Sequence, residues 1–501
     1  MIQVRDISRK WFETVHLTVD LKTRSVKGGA STVVAQFLSF GMSMLSTAVM
    51  ARLVAPESFG VVAMVTAITG FVAIFMDLGF SSAVIQNKNV TQKQVSTLFW
   101  FNTLIGAGLA GLIALAAPVI VVFYDEPRLL TITWAYAFSI LISSLALQHN
   151  ALLKRQMKFK RISGITVFAT AASIVVGIGM AWAGFDYWAI VGITVSFTLV
   201  NCVLTWAYCD WRPSLVFNLT KVRRFVSFGF GITGFDFVNY FARNLDNILI
   251  GRYIGAAALG LYSKSYQLLM VPITQLRAPL NTVAMPALSA LQEQPGRYSS
   301  FYRHYVFLLA FFSMPLVVFL FVYVDEVILL VLGEQWIAAG YIFQLLAVAA
   351  FIQPVGGTSG VVLITMGQTK KYFILGVVNA VVTVVGYAIG IKWGVAGVAI
   401  SYIIVNYVTF LPSLYWAFRD TPVRLSNFLS EIAYPVVFSV ISGLIGYSVK
   451  NAFSPYWPDI LLLAVGFTVG AVVYISLWFL SRKTAEKFKS VLKIRAMLRQ
   501  Q

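Results

Sequence analysis

The chain has 501 residues, of which 59% are hydrophobic and only 11% are charged. Soluble domains carry about a quarter charged residues, and surface-to-volume scaling prevents a soluble fold from hiding this much apolar surface. The composition therefore excludes an ordinary soluble enzyme, and the net charge of +19 must be explained for a protein that lies in a membrane.

Apolar segments long enough to cross a bilayer recur along the whole chain. Since a crossing helix needs about 20 apolar residues, the sequence predicts about fourteen spans and an all-α, polytopic fold. The predicted spans lie near residues 30–51, 58–82, 95–123, 129–150, 162–183, 187–208, 226–250, 258–289, 305–324, 336–363, 372–391, 395–418, 432–449 and 460–480. Pro272 and Pro279 in the eighth predict a kinked helix, although its first part could be a loop.

Basic residues are distributed unequally between alternate loops. With the N-terminus in the cytoplasm, 30 of the 38 Lys and Arg residues fall on cytoplasmic segments, 5 on external segments and 3 within spans. This asymmetry predicts cytoplasmic N- and C-termini in a bacterial inner membrane. Insertion thus explains the positive charge, which makes anionic membrane lipids the expected partners and excludes nucleic acid.

A stretch of the chain repeats at an offset of 200 residues. Arg52–Gly60 aligns without a gap on Arg252–Gly260, and six predicted spans separate the two copies. The repeat is therefore parallel, which predicts two pseudo-symmetric six-helix lobes with the substrate path between them. The predicted segments are a basic tail 1–27, an N-lobe 28–208, a cytoplasmic linker 209–225, a C-lobe 226–418, two added spans in 419–480 and a basic tail 481–501.

Polar side chains form stripes on the first and seventh spans at equivalent positions. In the first span the stripe includes Gln36 and Ser43. In the seventh it consists of Asp236, Asn239, Arg243, Asp246 and Asn247. Because a charge in a membrane costs roughly 2.5–3.5 kcal/mol, these faces predict a hydrated cavity. The alternatives are serine-mediated helix packing and a structural ion pair between Arg243 and Asp246.

Two further span residues, Asp77 and Arg277, occupy equivalent positions in the second and eighth spans. Equivalence about an axis along the membrane normal places them at equal depth in opposite lobes. We therefore expect a gate, an ion pair that forms when the cytoplasmic side closes and stabilises the outward-facing state. The alternative is that each charge is satisfied within its own lobe.

No arrangement of residues indicates catalysis. The three histidines are separated, and the sequence has no metal-ligand spacing, phosphate-binding loop or Gly-x-Ser-x-Gly motif. The predicted protein is therefore not an enzyme and needs no cofactor. Energy for transport would come from coupling to H⁺ or Na⁺, or from consumption of the product.

Four segments carry a family resemblance: KGGA at 27–30, ARLVAPESFG at 51–60, DLGFSSAVIQ at 77–86 and LDNILIGR at 245–252. Over about residues 27–420 the chain resembles the polysaccharide-unit exporters, of the colanic-acid type, in the multidrug, oligosaccharidyl-lipid and polysaccharide superfamily. The resemblance implies alternating access that moves an undecaprenyl-diphosphate-linked oligosaccharide to the periplasmic leaflet, where a polysaccharide polymerase and a chain-length regulator act.

The resemblance also implies roles for the polar residues. Arg243 inside the cavity, with Arg52 and Arg252 at its external mouth, would attract the diphosphate. The other residues expected to contact substrate are Asn239, Asn247, Gln36 and Ser43, and those expected to couple an ion are Asp236 and Asp246. Three other functions stay open: a cation-coupled multidrug exporter, a peptidoglycan-precursor flippase, which also has fourteen spans, and a membrane-bound glycan polymerase.

Overall fold

The computed structural model describes residues 11–12, 21–77, 79–87, 90–216, 240–241 and 243–492. All regular secondary structure in these residues is helical, which confirms the predicted all-α class. Ten helical segments of the described part are long and apolar enough to cross a membrane. The chain is therefore a multi-pass membrane protein, although the predicted number of fourteen spans is not confirmed.

The helices of the first half are α1 (Leu21–Leu53), α2 (Pro56–Thr69), α3 (Val72–Asp77), α4 (Phe80–Gln86), α5 (Gln92–Tyr124), α6 (Leu129–Arg155), α7 (Phe159–Trp182), α8 (Tyr187–Tyr208) and α9, helical residues 243–253. The third to sixth predicted spans correspond to α5–α8. Local chemistry defines the ends of α5: a capping box between Thr91 and Gln94 begins it, and Asp125, with a φ of 55°, ends it.

The second predicted span is not one helix. Residues 58–82 fall on α2, α3 and α4, so the expectation of a continuous helix there is wrong. Pro56 lies in the first turn of α2, where a missing backbone N–H costs nothing. Gly79 separates α3 from α4 with a φ of +77°, a conformation that favours glycine.

The helices of the second half are α10 (Ala256–Ala290), α11 (Pro295–Val322), α12 (Val324–Val331), α13 (Ala339–Gly356), α14 (Thr358–Thr365), α15 (Thr369–Gly390), α16 (Gly394–Phe418), α17 (Leu425–Phe453), α18 (Asp459–Leu477) and α19 (Arg482–Leu492). Helix α10 contains three prolines, Pro272, Pro279 and Pro286. It is helical from its first residue, so the alternative of a loop there is wrong.

The chain divides by internal contacts into two compact units, Met1–Gly260 and Leu261–Gln501. In the first unit, α5 packs against α6, α7 against α8, and α1 against α7. In the second unit, α11 packs against α13 and α17, α15 against α16, and α17 against α18. The two helices beyond the repeat, α17 and α18, are thus an integral part of the second unit.

The first unit includes residues 240–260, which follow the predicted linker. The Tyr240 hydroxyl donates to the Thr66 carbonyl at 2.9 Å, and Gly251 lies against Met64 and Tyr124. These contacts attach α9 to α2 and α5. The lobe boundary predicted at 209–225 lies partly outside the described residues and stays a prediction.

Equivalent residues of the repeat meet where α2 and α10 begin. A Cβ atom built on Gly60 would lie 1.7 Å from the Ala256 carbonyl oxygen, and one built on Gly260 would lie 1.9 Å from that of Pro56. Only glycine allows backbones to approach so closely. The contact is reciprocal at the offset of 200, so it gives the sequence repeat a structural counterpart.

The start of α2 is fixed on its other side as well. Arg128 forms ion pairs with Glu57 at 2.5 Å and with Glu126 at 2.7 Å. The hydrogen bond from Arg128 holds the pKa of Glu126 below its usual value. The Ser58 hydroxyl donates to Asp186 at 2.6 Å. The first turn of α2 is therefore attached to the α5–α6 and α7–α8 connections.

Candidate functional site

The predicted stripe on α1 has exposed and buried members. Gln36 and Ser43 are exposed, whereas Ser46 is buried. Gly28, at the other end of the described part of this helix, packs against Phe159 of α7. Gln36 and Ser43 therefore lie on a part of α1 that α7 does not cover, beside exposed apolar side chains such as Phe37 and Leu45, and their role in a hydrated cavity stays a prediction.

The stripe on α9 is divided between an exposed cation and a buried acid. Arg243 is exposed, and it has neither a hydrogen bond nor an ion pair with any residue that the structure describes. Asp246 is 5% exposed and accepts the backbone N–H of Asn247 at 2.8 Å. Arg243 and Asp246 do not form the ion pair that their spacing allows, so that alternative is wrong.

The other predicted residues of the first unit are placed as follows. Arg52 is exposed and donates to the Ala48 carbonyl at 3.1 Å. The Arg252 guanidinium is exposed and lies 5.9 Å from the centre of the Phe123 ring. Asn247 is half-buried, and its side-chain oxygen has no hydrogen-bond donor in the described part of the chain. Asp236 and Asn239 lie outside the described residues.

Asp77 caps a helix. One of its carboxylate oxygens accepts the Ser81 backbone N–H at 2.9 Å and the Ser81 hydroxyl at 2.7 Å. These bonds extend across Gly79 and stabilise the start of α4, in the way that an acidic cap satisfies free backbone donors. Asp77 thus has local partners in the first unit, and its predicted role in a gate stays a prediction.

Arg277 lies in the second unit against a helix break. Its guanidinium covers Gly357, between α13 and α14, so closely that a Cβ atom there would lie 2.6 Å from Nη2. Its hydrogen bond to the Gly357 carbonyl is long, at 3.4 Å, and its buried Nε has no acceptor among the described residues. Arg277 therefore keeps most of its donors for another acceptor.

The second unit holds a group of three tyrosines and one amide that was not predicted from the sequence. The ring centres of Tyr266 and Tyr402 are 6.4 Å apart, and Tyr387 and Tyr402 are 6.0 Å apart. The Gln353 amide donates to the Tyr402 hydroxyl. Tyrosine in place of phenylalanine within apolar spans is the sequence signal that could have indicated this group.

The described residues contain no group of three or more His, Cys, Asp or Glu side chains that could hold a metal ion. Of the two acidic residues predicted to couple an ion, Asp236 and Asp246, only Asp246 lies within the described part of the chain. Coupling to H⁺ or Na⁺ stays a prediction.

The comparisons decide the family. Residues 49–341 match the family described as polysaccharide biosynthesis protein. This chain belongs to that family. The resemblance noted in the sequence is thereby confirmed for more than half of the chain.

Two curated relatives of this family member have similar length. The chain is 29% identical to the teichuronic acid biosynthesis protein TuaB of Bacillus subtilis (strain 168), over 82% of this chain and 86% of that protein. It is 25% identical to the succinoglycan biosynthesis transport protein ExoT of Rhizobium meliloti (strain 1021), over 93% of this chain and 95% of that one.

Solved structures identify the fold of this polysaccharide biosynthesis protein. It matches a lipid II flippase MurJ in an inward closed conformation with a TM-score of 0.72 and 15% identity, over 89% of this chain and 97% of that one. It matches a multidrug resistance MATE family transporter of the MOP superfamily, in an inward-facing conformation, with a TM-score of 0.59 and 16% identity, over 77% of this chain and 97% of that one. The fold is that of a membrane transporter.

Proposed function

We propose that this family member is a flippase that moves an undecaprenyl-diphosphate-linked oligosaccharide from the cytoplasmic to the periplasmic leaflet of the inner membrane by alternating access. The names of its relatives support the substrate class, since they refer to the biosynthesis or transport of teichuronic acid and succinoglycan. The transporter fold supports movement of a substrate in place of its chemical conversion.

The observation that carries the proposal is the pair of arginines with free donors, one in each unit. No carboxylate pairs with Arg243 or Arg277 within the described residues. Both lie in predicted spans, where a charge costs roughly 2.5–3.5 kcal/mol, so an anionic ligand is the simplest compensation. A diphosphate offers several oxygens for charge-assisted bonds, whereas a cationic drug would be repelled.

The tyrosine group of the second unit suits the sugar part of such a substrate. Tyr266 and Tyr402 are half-buried, so their rings are partly accessible. Aromatic faces with hydroxyl and amide groups beside them offer both apolar contact and hydrogen bonds. We propose that this group contacts the oligosaccharide, while Arg52, Arg252, Asn247, Gln36 and Ser43 keep the roles predicted for them.

The remaining parts of the proposal concern partners and energy. A polymerase and a chain-length regulator on the external side would consume the product, and this consumption would make transport directional. Asp246, a buried carboxylate on the same helix as Arg243, is the residue proposed to exchange an ion during the cycle.

A leaflet assay with purified protein in vesicles tests the function. Fluorescent lipid-linked oligosaccharide in the inner leaflet is protected from an impermeant oxidant added outside the vesicles. It becomes accessible to that oxidant only after it has crossed the bilayer to the outer leaflet. We expect the wild-type protein to increase this accessibility, and Arg277→Ala to reduce the rate at least tenfold. Arg297→Ala is the matched control, because Arg297 is exposed and bonds only to Gln294 among the described residues.

Three results would contradict the proposal. Transport of a lipophilic cation without transport of the oligosaccharide lipid would favour a multidrug exporter. Transport of lipid II, with loss of cell-wall synthesis on depletion, would favour a peptidoglycan-precursor flippase. An unaltered rate in the Arg277→Ala protein would remove the anion-binding argument.

A further inference from the structure

Two groups of ion pairs lie near opposite ends of the contact between α11 and α17, the second of them with an acid from the start of α12. At one end Glu431 pairs with Arg303 at 2.6 Å and with Lys487 at 2.7 Å. At the other end Lys450 of α17 pairs with Glu326 at 2.9 Å. Glu431 and Glu326 are both buried, at 5% and 4% exposed. The ion-paired side chains therefore lie near the two ends of this contact and not in its middle.

The spacing of these groups matches a bilayer. Glu431 and Lys450 lie on one continuous helix, and 19 residues at about 1.5 Å per residue correspond to about 28 Å. The hydrocarbon core of a bilayer is about 30 Å thick. The two ion-pair groups therefore mark the two levels at which lipid headgroups begin.

Helix α19 is fixed at the level of Glu431. Ser481 and Thr484 exchange hydrogen bonds at its start, each backbone N–H donating to the other hydroxyl at 3.2 Å, which is the geometry of a reciprocal cap. Lys487 reaches Glu431, and the Phe488 ring lies 5.1 Å from that of Phe479. One face of α19 is thus held by the second unit.

The opposite face carries three exposed cations and one exposed carboxylate, Glu486, so it has a net positive charge. Arg482, Lys483 and Lys489 are exposed, and none of them forms an ion pair within the described residues. Directly before them, Phe479 and Leu480 are 56% and 74% exposed. Large apolar side chains beside unpaired cations, at the headgroup level, suit a lipid whose chains and headgroup lie side by side; a free phosphate would use only the cations.

We propose that α19 is a binding site for anionic phospholipids, with Arg482, Lys483 and Lys489 on the headgroup phosphates and with Phe479 and Leu480 against the acyl chains. The excess of Lys and Arg on this side makes it the cytoplasmic leaflet. Each Lys or Arg side chain near an anionic membrane surface strengthens the binding of the protein to that surface about fivefold. The site is independent of the transported substrate, since it uses none of the residues proposed to bind it.

The test measures lipid retention by the full-length protein. Protein purified from mixed phosphatidylglycerol and phosphatidylcholine nanodiscs is analysed by native mass spectrometry, and the ratio of the two retained lipids is the readout. We expect the wild-type protein to retain phosphatidylglycerol preferentially. The triple variant Arg482→Gln, Lys483→Gln, Lys489→Gln should lose at least tenfold of this preference.

Two controls make the result specific. The variant Lys93→Gln, Lys154→Gln, Lys160→Gln removes three exposed cations of the first unit and should keep the preference. The variant Arg482→Lys, Lys483→Arg, Lys489→Arg keeps the charge of α19 and should also keep it. An unchanged preference in the α19 glutamine variant, or equal loss in the first-unit control, would overturn the proposal.

Discussion

Substitution of Gly60 by alanine tests the contact between equivalent residues of the repeat. The added methyl group would lie 1.7 Å from the Ala256 carbonyl oxygen, where ordinary contacts begin at 3.4 Å. The obstructing atoms belong to the backbone, so no side chain can rotate away. The first turn of α2 is also held by Glu57 and Ser58. The strain must therefore move the first turn of α10 by about 1.7 Å, the difference between these distances.

The size of the effect follows from overpacking. Forcing an extra methyl group into a close contact costs about 1–3 kcal/mol. The strain exists only in the state in which α2 and α10 touch. If the transport cycle includes a state in which they separate, the strain lowers the population of the contacting state about 5- to 150-fold relative to the separated state. We therefore expect Gly60→Ala to slow export by shifting the conformational equilibrium, with the chain still folded.

Pulsed electron paramagnetic resonance can measure the shift. Spin labels at Leu53 and Tyr253, two exposed and equivalent positions, report on the distance between the helix ends in a chain without native cysteines. In the Gly60→Ala protein, the distribution of label-to-label distances should gain a longer component, or a longer component already present should account for a larger fraction of the molecules. Gly41→Ala is the matched control, since a Cβ at Gly41 meets nothing within 4 Å. An unchanged distance distribution with normal export would refute the steric argument.

Other predictions concern charge and orientation. Arg243→Ala should abolish export while insertion remains normal, and Arg243→Lys should restore only part of it, because an ammonium lacks the two-pronged geometry of guanidinium; full export by the alanine variant in a polymer assay would leave Arg243 without a transport role. Asp77→Arg and Arg277→Asp should each impair export; recovery in the double swap, as an ion pair of about 1–3 kcal/mol would give, would assign Arg277 to the gate, whereas a double variant as poor as the worse single one would reject the gate and leave Arg277 to the substrate anion. A single cysteine at Leu215, which is 89% exposed, should resist an impermeant thiol reagent in intact cells and react after lysis; reaction in intact cells would reverse the predicted topology.

Unbroken apolar runs were the most predictable part of the fold. The sixth predicted span, 187–208, has the same limits as α8 (Tyr187–Tyr208), because its ends coincide with changes in polarity. Hydropathy could not detect the break at Gly79, since it depends on a single positive φ and on the cap that Asp77 provides. Hydropathy averaged over a window of residues includes Gly79 and Asp77 but does not show the separate effect of either one.

The candidate site was predicted less completely than the fold. Periodicity placed Arg243 and Asp246 on one helical face, but one is exposed and the other buried. A face spans about 100°, and neighbouring helices can cover half of it. The free donors of Arg277 depend on its position over Gly357, 80 residues later in the chain, which no local pattern contains.

The ion pairs of α17 have a consequence for biogenesis. Glu326 is separated from Lys450 by 124 residues, and Arg303 from Glu431 by 128 residues. At about 5–20 residues per second, the earlier partner waits roughly 6–25 s for the later one to be synthesised. During that time the Arg303 guanidinium on α11 and the Glu326 carboxylate on α12 have no counterion from α17. The second unit therefore matures only after its last spans have left the ribosome, and a chain truncated before Lys450 should be a target for membrane proteases.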